Sequence, residues 1–302
     1  MKKWIAALSI LLISAFVCIY LFIPSKLSIS VIKPVNCVIY GSFRSLSDQQ
    51  QWNKWFPASV EKNNYRVDSV LQNTLYVAIR HKEEDINSII RLLPLPSDSS
   101  AVQWTCSITA GNNPVKRLLR YWQAVGIKNN MDEILNGFRD FAGKTENIYH
   151  FPIERTTFTD TLLQATKTTL RAYPSTNDIY QLIYAIQEHI RQKNVTQTGN
   201  PLVNVTKIDP THFQVMVALP VNKVIEDVQP FFTRRMIPAA NFMKAEVKGG
   251  PHTINEALHQ VELYFADYRK TAMAIPFEYL ITDRLAQPDT SQWVTHIFTP
   301  VF

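Results

Sequence analysis

The sequence predicts an α+β protein in which one apolar helix precedes two domains. Three observations lead to this fold class: an uncharged apolar run at the N-terminus, a series of alternating segments closed by a helix, and a strand-helix-strand-strand pattern that occurs twice. The expected boundaries are residues 1–25 for a transmembrane anchor, 26–147 for the first domain and 148–302 for the second. A chain of 302 residues that is 46% hydrophobic is long enough to form a core in each domain.

The uncharged run from Trp4 to Pro24 is about as long as a membrane-spanning helix requires. A cleaved signal peptide is the main alternative, but its apolar core is usually shorter, roughly 7 to 15 residues, and should end in a small-x-small site that is not evident here. A lipoprotein signal needs a small residue before the acceptor cysteine, and Val17 before Cys18 fits poorly. The run therefore predicts an uncleaved anchor.

Charges on the two sides of this run indicate its orientation. Lys2 and Lys3 precede it, whereas Lys26 and Lys33 follow at a greater distance. The positive-inside rule then favours a cytoplasmic N-terminus. We expect a single-pass membrane protein whose soluble part is periplasmic or otherwise extracytoplasmic.

Charge and cysteine content exclude some function classes. The 31 Lys and Arg residues against 25 Asp and Glu are scattered, so a nucleic-acid partner is not expected. The three cysteines lack the paired short spacings of a zinc site or a disulfide scaffold. Because Cys18 lies in the apolar run, only Cys37 and Cys106 could pair inside a folded domain. A disulfide between them is one alternative if the chain is exported, and two buried thiols are the other.

The first domain begins with the strand-like "LSISVIKPVN", followed by a short helix and the cluster "WNKWFP". Strand-like segments then recur in a predicted antiparallel meander: "YRVDSVL", "TLYVAIRHK", "NSIIRLLPL" and "AVQWTCSITA". A helix around "NNMDEILNGFRDFAGKTEN" closes it, with an apolar stripe at helical spacing: Met131, Ile134, Leu135, Phe138, Phe141 and Ala142.

This order of elements predicts a helix-grip arrangement, in which the sheet curls around the last helix. Lys33 to Asn36 ("KPVN"), the helix after it and "WNKWFP" resemble the start of the START-like, or polyketide cyclase and dehydrase-like (SRPBCC), superfamily over about Leu27 to Asn147. The resemblance implies a cavity. The aromatic residues that could line it, or could instead pack a core without a ligand, are Trp52, Trp55, Tyr76 and Trp104.

The second domain repeats one pattern. Its first unit runs through "TFTDTLLQATKTTLRAYP", the helix "STNDIYQLIYAIQEHIRQKN" and the strands "NPLVNVTKI" and "HFQVMVALPV"; its second runs through "NFMKAEVKGG", a helix from Thr253, "FEYLITD" and "WVTHIFTPVF". Residues Ser175 to Asp178 are suited to cap the first helix, and Thr253 with Glu256 form the pattern of a capping box. Gly249 and Gly250 would allow the sharp exit from the preceding strand.

Three motifs in this half, "GGPH", "PFEYLITDRLAQPDTSQW" and "THIFTPVF", resemble the GyrI-like family, the effector-binding domain of bacterial transcription activators, over about Tyr149 to Phe302. The resemblance implies two strand-helix-strand-strand units around a cleft that binds small, often cationic or aromatic, molecules, with glutamates that neutralise the ligand. No helix-turn-helix segment accompanies the domain, so direct control of transcription is not expected.

Glu278 in "PFEYLITD" matches the family segment whose glutamate faces the cleft, where a carboxylate among aromatic residues would bind a cation; an exposed strand glutamate is the alternative. His296 departs from the family, which often has an acidic residue after the threonine of the last strand. If His296 faces the cleft, a purely cationic ligand becomes less favoured and an acid/base pair with Glu278 becomes conceivable. A structural strand histidine is the alternative.

The other candidate ligand-binding residues are carboxylate or aromatic side chains: Tyr279, Glu246, Phe298, Phe213, Tyr264 and Trp293. No nucleophile motif, phosphate loop or metal cluster supports a particular reaction. The helix-like spacing of His252, Glu256 and His259 is a poor metal site because His252 precedes the expected cap. We therefore expect no metal or cofactor and a membrane-anchored protein that binds a hydrophobic, aromatic or cationic small molecule. A hydrolase or cyclase using cleft glutamates, and a structural envelope module, are the alternatives.

Overall fold

The computed structural model describes residues 2–82, 84–236 and 241–301, except for the side chains of residues 2, 3, 5–9, 11, 12 and 15. The chain divides into two compact units, Met1–Lys144 and Thr145–Phe302. Each unit contains one antiparallel sheet, of five and eight strands respectively. The α+β class with two antiparallel sheets is therefore confirmed.

The N-terminal unit has the strand order β1-β5-β4-β3-β2. Its helices are α1 Lys2–Phe22, α2 Ile39–Ser47 and α3 Pro114–Ala142, and its strands are β1 Lys26–Val35, β2 Tyr65–Leu71, β3 Thr74–His81, β4 Glu84–Leu95 and β5 Ser99–Thr109. The four meander segments predicted from sequence all form strands.

The closing helix α3 is longer than predicted. It begins at Pro114, where Asn113 caps it by accepting hydrogen bonds from the amides of Val115 and Lys116, rather than near residue 129. The predicted stripe, including Met131 and Phe138, is buried. The early turns were missed because their apolar residues do not continue that stripe.

Aromatic side chains fill the core of the N-terminal unit. Trp52 contacts Trp55, Trp55 meets the ring of Phe138, and Trp104 meets the ring of Tyr65, with centroid distances of 5.4, 5.0 and 5.7 Å. These residues therefore pack as core. Tyr76, by contrast, is exposed.

No disulfide joins Cys37 to Cys106, and both side chains are buried. Burial raises the pKa of the Cys106 thiol to about 11, so this group stays protonated at neutral pH. The alternative of two buried thiols is the one observed.

Helix α1 covers most of the predicted anchor. In the described part of the chain, we find no helix that is both long enough and apolar enough to cross a membrane. Several α1 side chains, including those of Lys2 and Lys3, lie outside the described residues. Membrane anchoring through residues 1–25 thus stays a prediction.

The C-terminal unit has the strand order β10-β7-β9-β8-β12-β13-β11-β6. Its helices are α4 Thr145–Tyr149, α5 Thr176–Gln192 and α6 Pro251–Asp267, and its strands are β6 Ile153–Thr157, β7 Leu162–Leu170, β8 Leu202–Asp209, β9 His212–Pro220, β10 Phe231–Arg235, β11 Asn241–Lys248, β12 Phe277–Leu280 and β13 Val294–Val301.

The predicted duplication is present. The first unit is β7-α5-β8-β9, the second is β11-α6-β12-β13, and β8 pairs with β12 where the two units meet. The edge strands β6 and β10 were not predicted, because both are only five residues long and carry little apolar alternation.

Both long helices pack on one face of this sheet, which we call the helix face. Ile183 and Ile186 of α5 are buried there against Val203 and Val217. The opposite face, which we call the open face, carries an aromatic cluster that includes Phe158, Phe277 and Phe298.

The two helices begin differently. The capping box predicted at Ser175 forms, since the Ser175 hydroxyl accepts from the amide of Asp178 and the Asp178 carboxylate accepts from the amide of Ser175. The box predicted at Thr253 is wrong, because α6 starts two residues earlier and Gly250 occupies the cap position without a side-chain bond.

Gly249 explains the sharp exit from β11. Its φ is +146°, and a Cβ there would lie 2.6 Å from the Thr253 hydroxyl oxygen. A side chain is excluded on both counts. Gly250, with φ of −84°, does not need that freedom.

Candidate functional site

The alternation of strand β12 separates two of the predicted ligand-binding residues, Glu278 and Tyr279. Glu278 is buried on the helix face, whereas Tyr279 packs against Phe158 and Phe298 on the open face. Adjacent residues of a strand point to opposite faces of a sheet. The C-terminal unit therefore has two separate candidate sites.

On the helix face, the first turns of α5 and α6 frame a cavity of about 240 Å³, which we call the helix-side cleft. Glu278 and Arg284 lie in it, 7% and 8% exposed. The other lining residues are Tyr173, Pro174, Ser175, Thr176, Ile179, Pro251, Ile254 and Trp293. The lining thus comes from the strand-to-helix turns of both repeated units.

The side chain of Arg284 occupies the position expected for a cationic ligand. Its Nη2 donates to the Glu278 carboxylate at 2.7 Å and to the Thr295 hydroxyl at 3.0 Å, and its guanidinium lies 5.0 Å from the centroid of Trp293. A carboxylate and an aromatic face are the two groups that bind a cation. The chain itself thus neutralises Glu278.

The backbone also fixes Arg284 in place. Its amide donates to the Tyr180 hydroxyl at 2.6 Å, and burial, the largest cause, raises the pKa of Tyr180 to about 12. Burial also raises the pKa of Tyr173, with the charge of Glu278 as a second cause. Both phenols stay neutral, so they act as hydrogen-bonding and packing groups in this cleft.

His296 and Glu246 lie on the open face, away from Glu278. Strand pairing places His296 directly opposite both Tyr279 and Glu246, and its Nε2 is 3.6 Å from the Glu246 carboxylate. Cross-strand partners share a face. The acid/base pair of Glu278 with His296 is therefore wrong, because the sheet separates the two side chains.

The pKa of His296 is lowered, first by burial and then by the charge of Lys244, while Glu246 and Glu154 act in the opposite sense. Lys244 itself pairs with Glu154 at 2.6 Å. His296 is thus mainly neutral at pH 7, with the character of a structural strand histidine.

The remaining predicted residues are dispersed. Trp293 lines the helix-side cleft, and Phe213 reaches only its edge, through the ring of Tyr173 at 5.7 Å. Tyr264 packs against Tyr149 in the helix layer and lines neither cavity. A ligand-binding role for the predicted residues stays a prediction.

Tyr279 and Phe298 belong to the open-face cluster. The Tyr279 hydroxyl donates to the Asp160 carboxylate at 3.0 Å and accepts from the amide of Asn200 at 3.0 Å. Burial raises its pKa. The Tyr279 hydroxyl therefore has both a donor and an acceptor within the protein.

The open face holds a larger cavity of about 400 Å³, which we call the open-face cavity. Its wall is almost entirely apolar: Leu163, Leu202, Val203, Met216, Ala218, Met236, Phe242, Met273, Ala274, Ile275, Phe277 and Pro300. Polar side chains in the lining are Asn204, Arg234 and Arg235. The amide of Asn204 donates to the Pro276 carbonyl and its oxygen accepts from Thr206, so it is satisfied by the protein.

Among the described lining residues, Arg234 and Arg235 are the charged ones. Arg234 pairs with Leu163 of the open-face cluster, whereas Arg235 pairs with Leu162, which packs on the helix face, so Arg234 is the charged side chain on the open face. Arg234 lies 4.4 Å from the ring centroid of Phe232 and donates to the Thr233 carbonyl at 3.2 Å. Among the described residues, neither Arg234 nor Arg235 forms an ion pair with a carboxylate. A guanidinium with free donors beside an apolar wall is a site for an anion.

Sequence reasoning missed Arg284 and the open-face cavity. Arg284 stands in the quoted segment "PFEYLITDRLAQPDTSQW", six residues after Glu278, so a partner for the glutamate was present there in the text. The cavity gave no comparable signal, since its lining comes from seven strands, from Met236 and from the segment at Met273–Ile275. Across residues 2–82, 84–236 and 241–301, no three His, Cys, Asp or Glu side chains come together as a metal site.

No family model matches the chain, and no curated protein matches it. It is structurally similar to the EcmrR C-terminal domain, with 16% identity, coverage of 50% of this chain and 98% of that chain, and a TM-score of 0.44. SAV2435 bound to tetraphenylphosphonium is 15% identical, with coverage of 50% of this chain and 93% of that chain and a TM-score of 0.33. A hydrolase from Listeria innocua is 9% identical, with coverage of 50% of this chain and 91% of that chain and a TM-score of 0.38. At these values the likeness carries no argument about what this chain binds.

Proposed function

We propose that the C-terminal unit binds an apolar small molecule in the open-face cavity. The observation that supports this is the cavity itself, about 400 Å³ with an almost wholly apolar wall. Ligand pockets typically measure roughly 300 to 1,000 Å³. Protein interiors are otherwise close-packed, and unfilled apolar space costs stability. Ligand binding gives a reason for that space to exist.

The charge at this site indicates the ligand class. Arg234 is the charged lining residue on the open face, and a guanidinium matches the two oxygens of a carboxylate or sulfonate. We therefore infer an apolar, preferably aromatic, body that carries one anionic group. This differs from the cationic class implied by the GyrI-like resemblance, for which Glu278 is already neutralised by Arg284.

Three probes with one ring system and different charges test the proposal: naphthoate, naphthylmethylammonium and naphthalenemethanol. Each would be titrated calorimetrically into the full chain held in phospholipid nanodiscs, with empty nanodiscs as the blank. Naphthoate should bind roughly tenfold more tightly than the neutral and cationic probes, as one charge-assisted hydrogen bond supplies about that difference.

Matched variants assign the binding to the cavity. Arg234→Gln with Arg235→Gln should remove the preference for the anion, whereas Arg191→Gln on the exposed side of α5, where Arg191 pairs with Glu188, should leave it intact. If all three probes bound equally well, the proposed apolar site would stand and the proposed preference for an anionic ligand would be rejected. If none of the three probes bound, the ligand site would be rejected and a structural module would be favoured.

The enzymatic alternative has no observation in its favour. A hydrolase or cyclase would need a carboxylate ready to accept a proton or place water, but Glu278 accepts a hydrogen bond from Arg284 at 2.7 Å. Glu246 lies on the open face and does not line the cavity there.

The N-terminal unit carries two further parts of the proposal. A strand, three short helical segments, a meander and a long closing helix occur in the order expected for a START-like domain. We propose that assignment, with a core that its aromatic residues fill. We also propose that residues 1–25 attach the chain to a membrane, with the two units outside the cytoplasm. This proposal is supported by the solvent-exposed apolar side chains of α1, which are Trp4, Ile10, Ile13, Phe16, Val17, Leu21 and Phe22. An alkaline carbonate wash, which strips proteins bound only to the membrane surface, should release a chain lacking residues 1–25 but not the full chain, and release of the full chain would reject the anchor.

A further inference from the structure

The first turns of α3 carry an apolar stripe that the described residues of the N-terminal unit leave exposed. Val115, Leu118, Leu119 and Trp122 are 60%, 41%, 64% and 64% exposed. Their spacing of three, four and seven residues places them on one side of the helix. Tyr121 beside them is also exposed.

This stripe faces away from the core. Further along α3, the stripe containing Ile127 and Met131 is buried in the unit, and the early stripe lies on the opposite side of the helix by the 3.6-residue period. A helix of a soluble domain normally turns polar residues to that side. The first turns of α3 therefore have a second apolar face in need of a partner.

Basic residues flank the stripe. Lys116 and Arg120 lie on the same turns, and they line a surface depression together with Lys82 and Glu84. Arg120 pairs with Glu84 at 2.6 Å, which leaves the lysines in excess. Exposed Trp, Tyr and Leu beside lysine is the composition of helices that lie in the interfacial layer of a bilayer.

The same end of α3 holds the end of the apolar helix α1. Arg117 donates to the carbonyls of Ile23 and Gly111, at 3.0 and 2.7 Å, and its guanidinium lies 4.5 Å from the ring centroid of Tyr20. The Tyr20 hydroxyl donates to the Asn112 carbonyl. These bonds fix the start of α3 within a few residues of an exposed apolar helix, so both would meet one lipid surface.

We propose that the stripe Val115, Leu118, Leu119 and Trp122 docks on the surface of a phospholipid bilayer, with Lys116 and Lys82 at the headgroups. This contact is separate from the anchor and from the ligand cavity, and it holds the N-terminal unit against the lipid instead of leaving it tethered. It goes beyond the proposed ligand binding and does not depend on it.

Site-directed spin labelling of the full chain tests the contact. In a Cys18→Ser background, which removes the exposed thiol, Leu119→Cys would be labelled with a nitroxide. The matched control is Tyr184→Cys on α5 in the other unit, where Tyr184 is 53% exposed and Leu119 is 64% exposed. Each would be added to phosphatidylcholine vesicles with and without phosphatidylglycerol.

When the chain binds vesicles, the Leu119 label should become more accessible to dissolved oxygen and several-fold less accessible to an aqueous nickel chelate. Both changes should be larger when the vesicles contain phosphatidylglycerol. The Tyr184 label should not change. A Leu119 label that stays open to the nickel chelate would overturn the proposal. A label shielded from both reagents would also overturn it, since that pattern indicates a protein partner or a second copy.

Discussion

The two faces of the C-terminal sheet differ in whether their charged side chains have partners of opposite charge within the chain. On the helix face, Glu278 and Arg284 are buried together, and the arginine fills the place of a cation. On the open face, Arg234 borders an apolar cavity without a carboxylate among the described residues to neutralise it. A site can attract a charged ligand only where the chain has not already supplied the partner. The open face, which was not predicted from the sequence, is therefore a better candidate for binding a charged ligand than Glu278, which was.

The largest expected effect comes from breaking the helix-face ion pair. Arg284→Ala leaves the Glu278 carboxylate buried without its partner, and such changes destabilise by about 3 to 5 kcal/mol. Hydrogen exchange of the amides in residues 277–301, followed by mass spectrometry, measures the loss locally. The double variant Glu278→Met with Arg284→Met should recover most of the protection.

The same variant tests whether Arg284 stands in for a cation. Methylguanidinium, or the smaller methylammonium, should stabilise Arg284→Ala and leave the wild-type chain unaffected. Thermal unfolding with and without the cations gives the comparison, and the double variant without Glu278 is the control. Equal stabilisation of the wild-type chain would show that the cleft accepts a cation beside Arg284.

The next effect separates the two faces as binding sites. Ala218→Leu adds bulk to the open-face cavity and should weaken naphthoate binding at least tenfold, about 1.4 kcal/mol. Glu278→Gln, on the other face, should leave naphthoate binding unchanged. Calorimetric titration of both variants checks this. A loss with Glu278→Gln and none with Ala218→Leu would return the site to the helix-side cleft.

A smaller effect distinguishes the two helix starts that frame the helix-side cleft. Ser175→Ala removes the capping box of α5 and should cost about 1 kcal/mol, whereas Thr253→Ala should cost only a few tenths, because Thr253 caps nothing. Denaturant titration monitored by exchange in each helix measures both. Equal losses would mean that Thr253 stabilises α6 by another contact.

Local signals predicted much of the fold. The alternation of strands β2 to β5, the capping box at Ser175 and the duplication of the second unit can all be read from neighbouring residues. The site was predicted less well because its geometry depends on strand parity and pairing. That Glu278 and His296 lie on opposite faces follows only from the register of β12 against β13. The open-face cavity depends on how distant strands converge, which no local pattern encodes.

The smallest expected effect is a dependence of stability on pH from His296. Its pKa is lowered in the folded chain, mainly by burial, so protonation favours the unfolded state, where the value is about 6.5. The contribution of His296 is then present above that value and is lost as the pH falls below it. Burial is also the largest cause of the lowered pKa of His189 on the helix face. Both histidines should therefore lose their contribution to stability as the pH falls.

Urea unfolding of the wild-type chain and of His296→Asn, from about pH 7.5 to about pH 5.5, isolates this contribution as the difference between the two curves. The wild-type chain should lose more stability on acidification than the variant. If the charge of Glu246, 3.6 Å away, outweighed burial and Lys244, the sign would reverse and acidification would stabilise the wild type relative to the variant. The sign of the difference thus decides whether the open face favours the neutral histidine, as expected for a face whose unmatched charge is already positive.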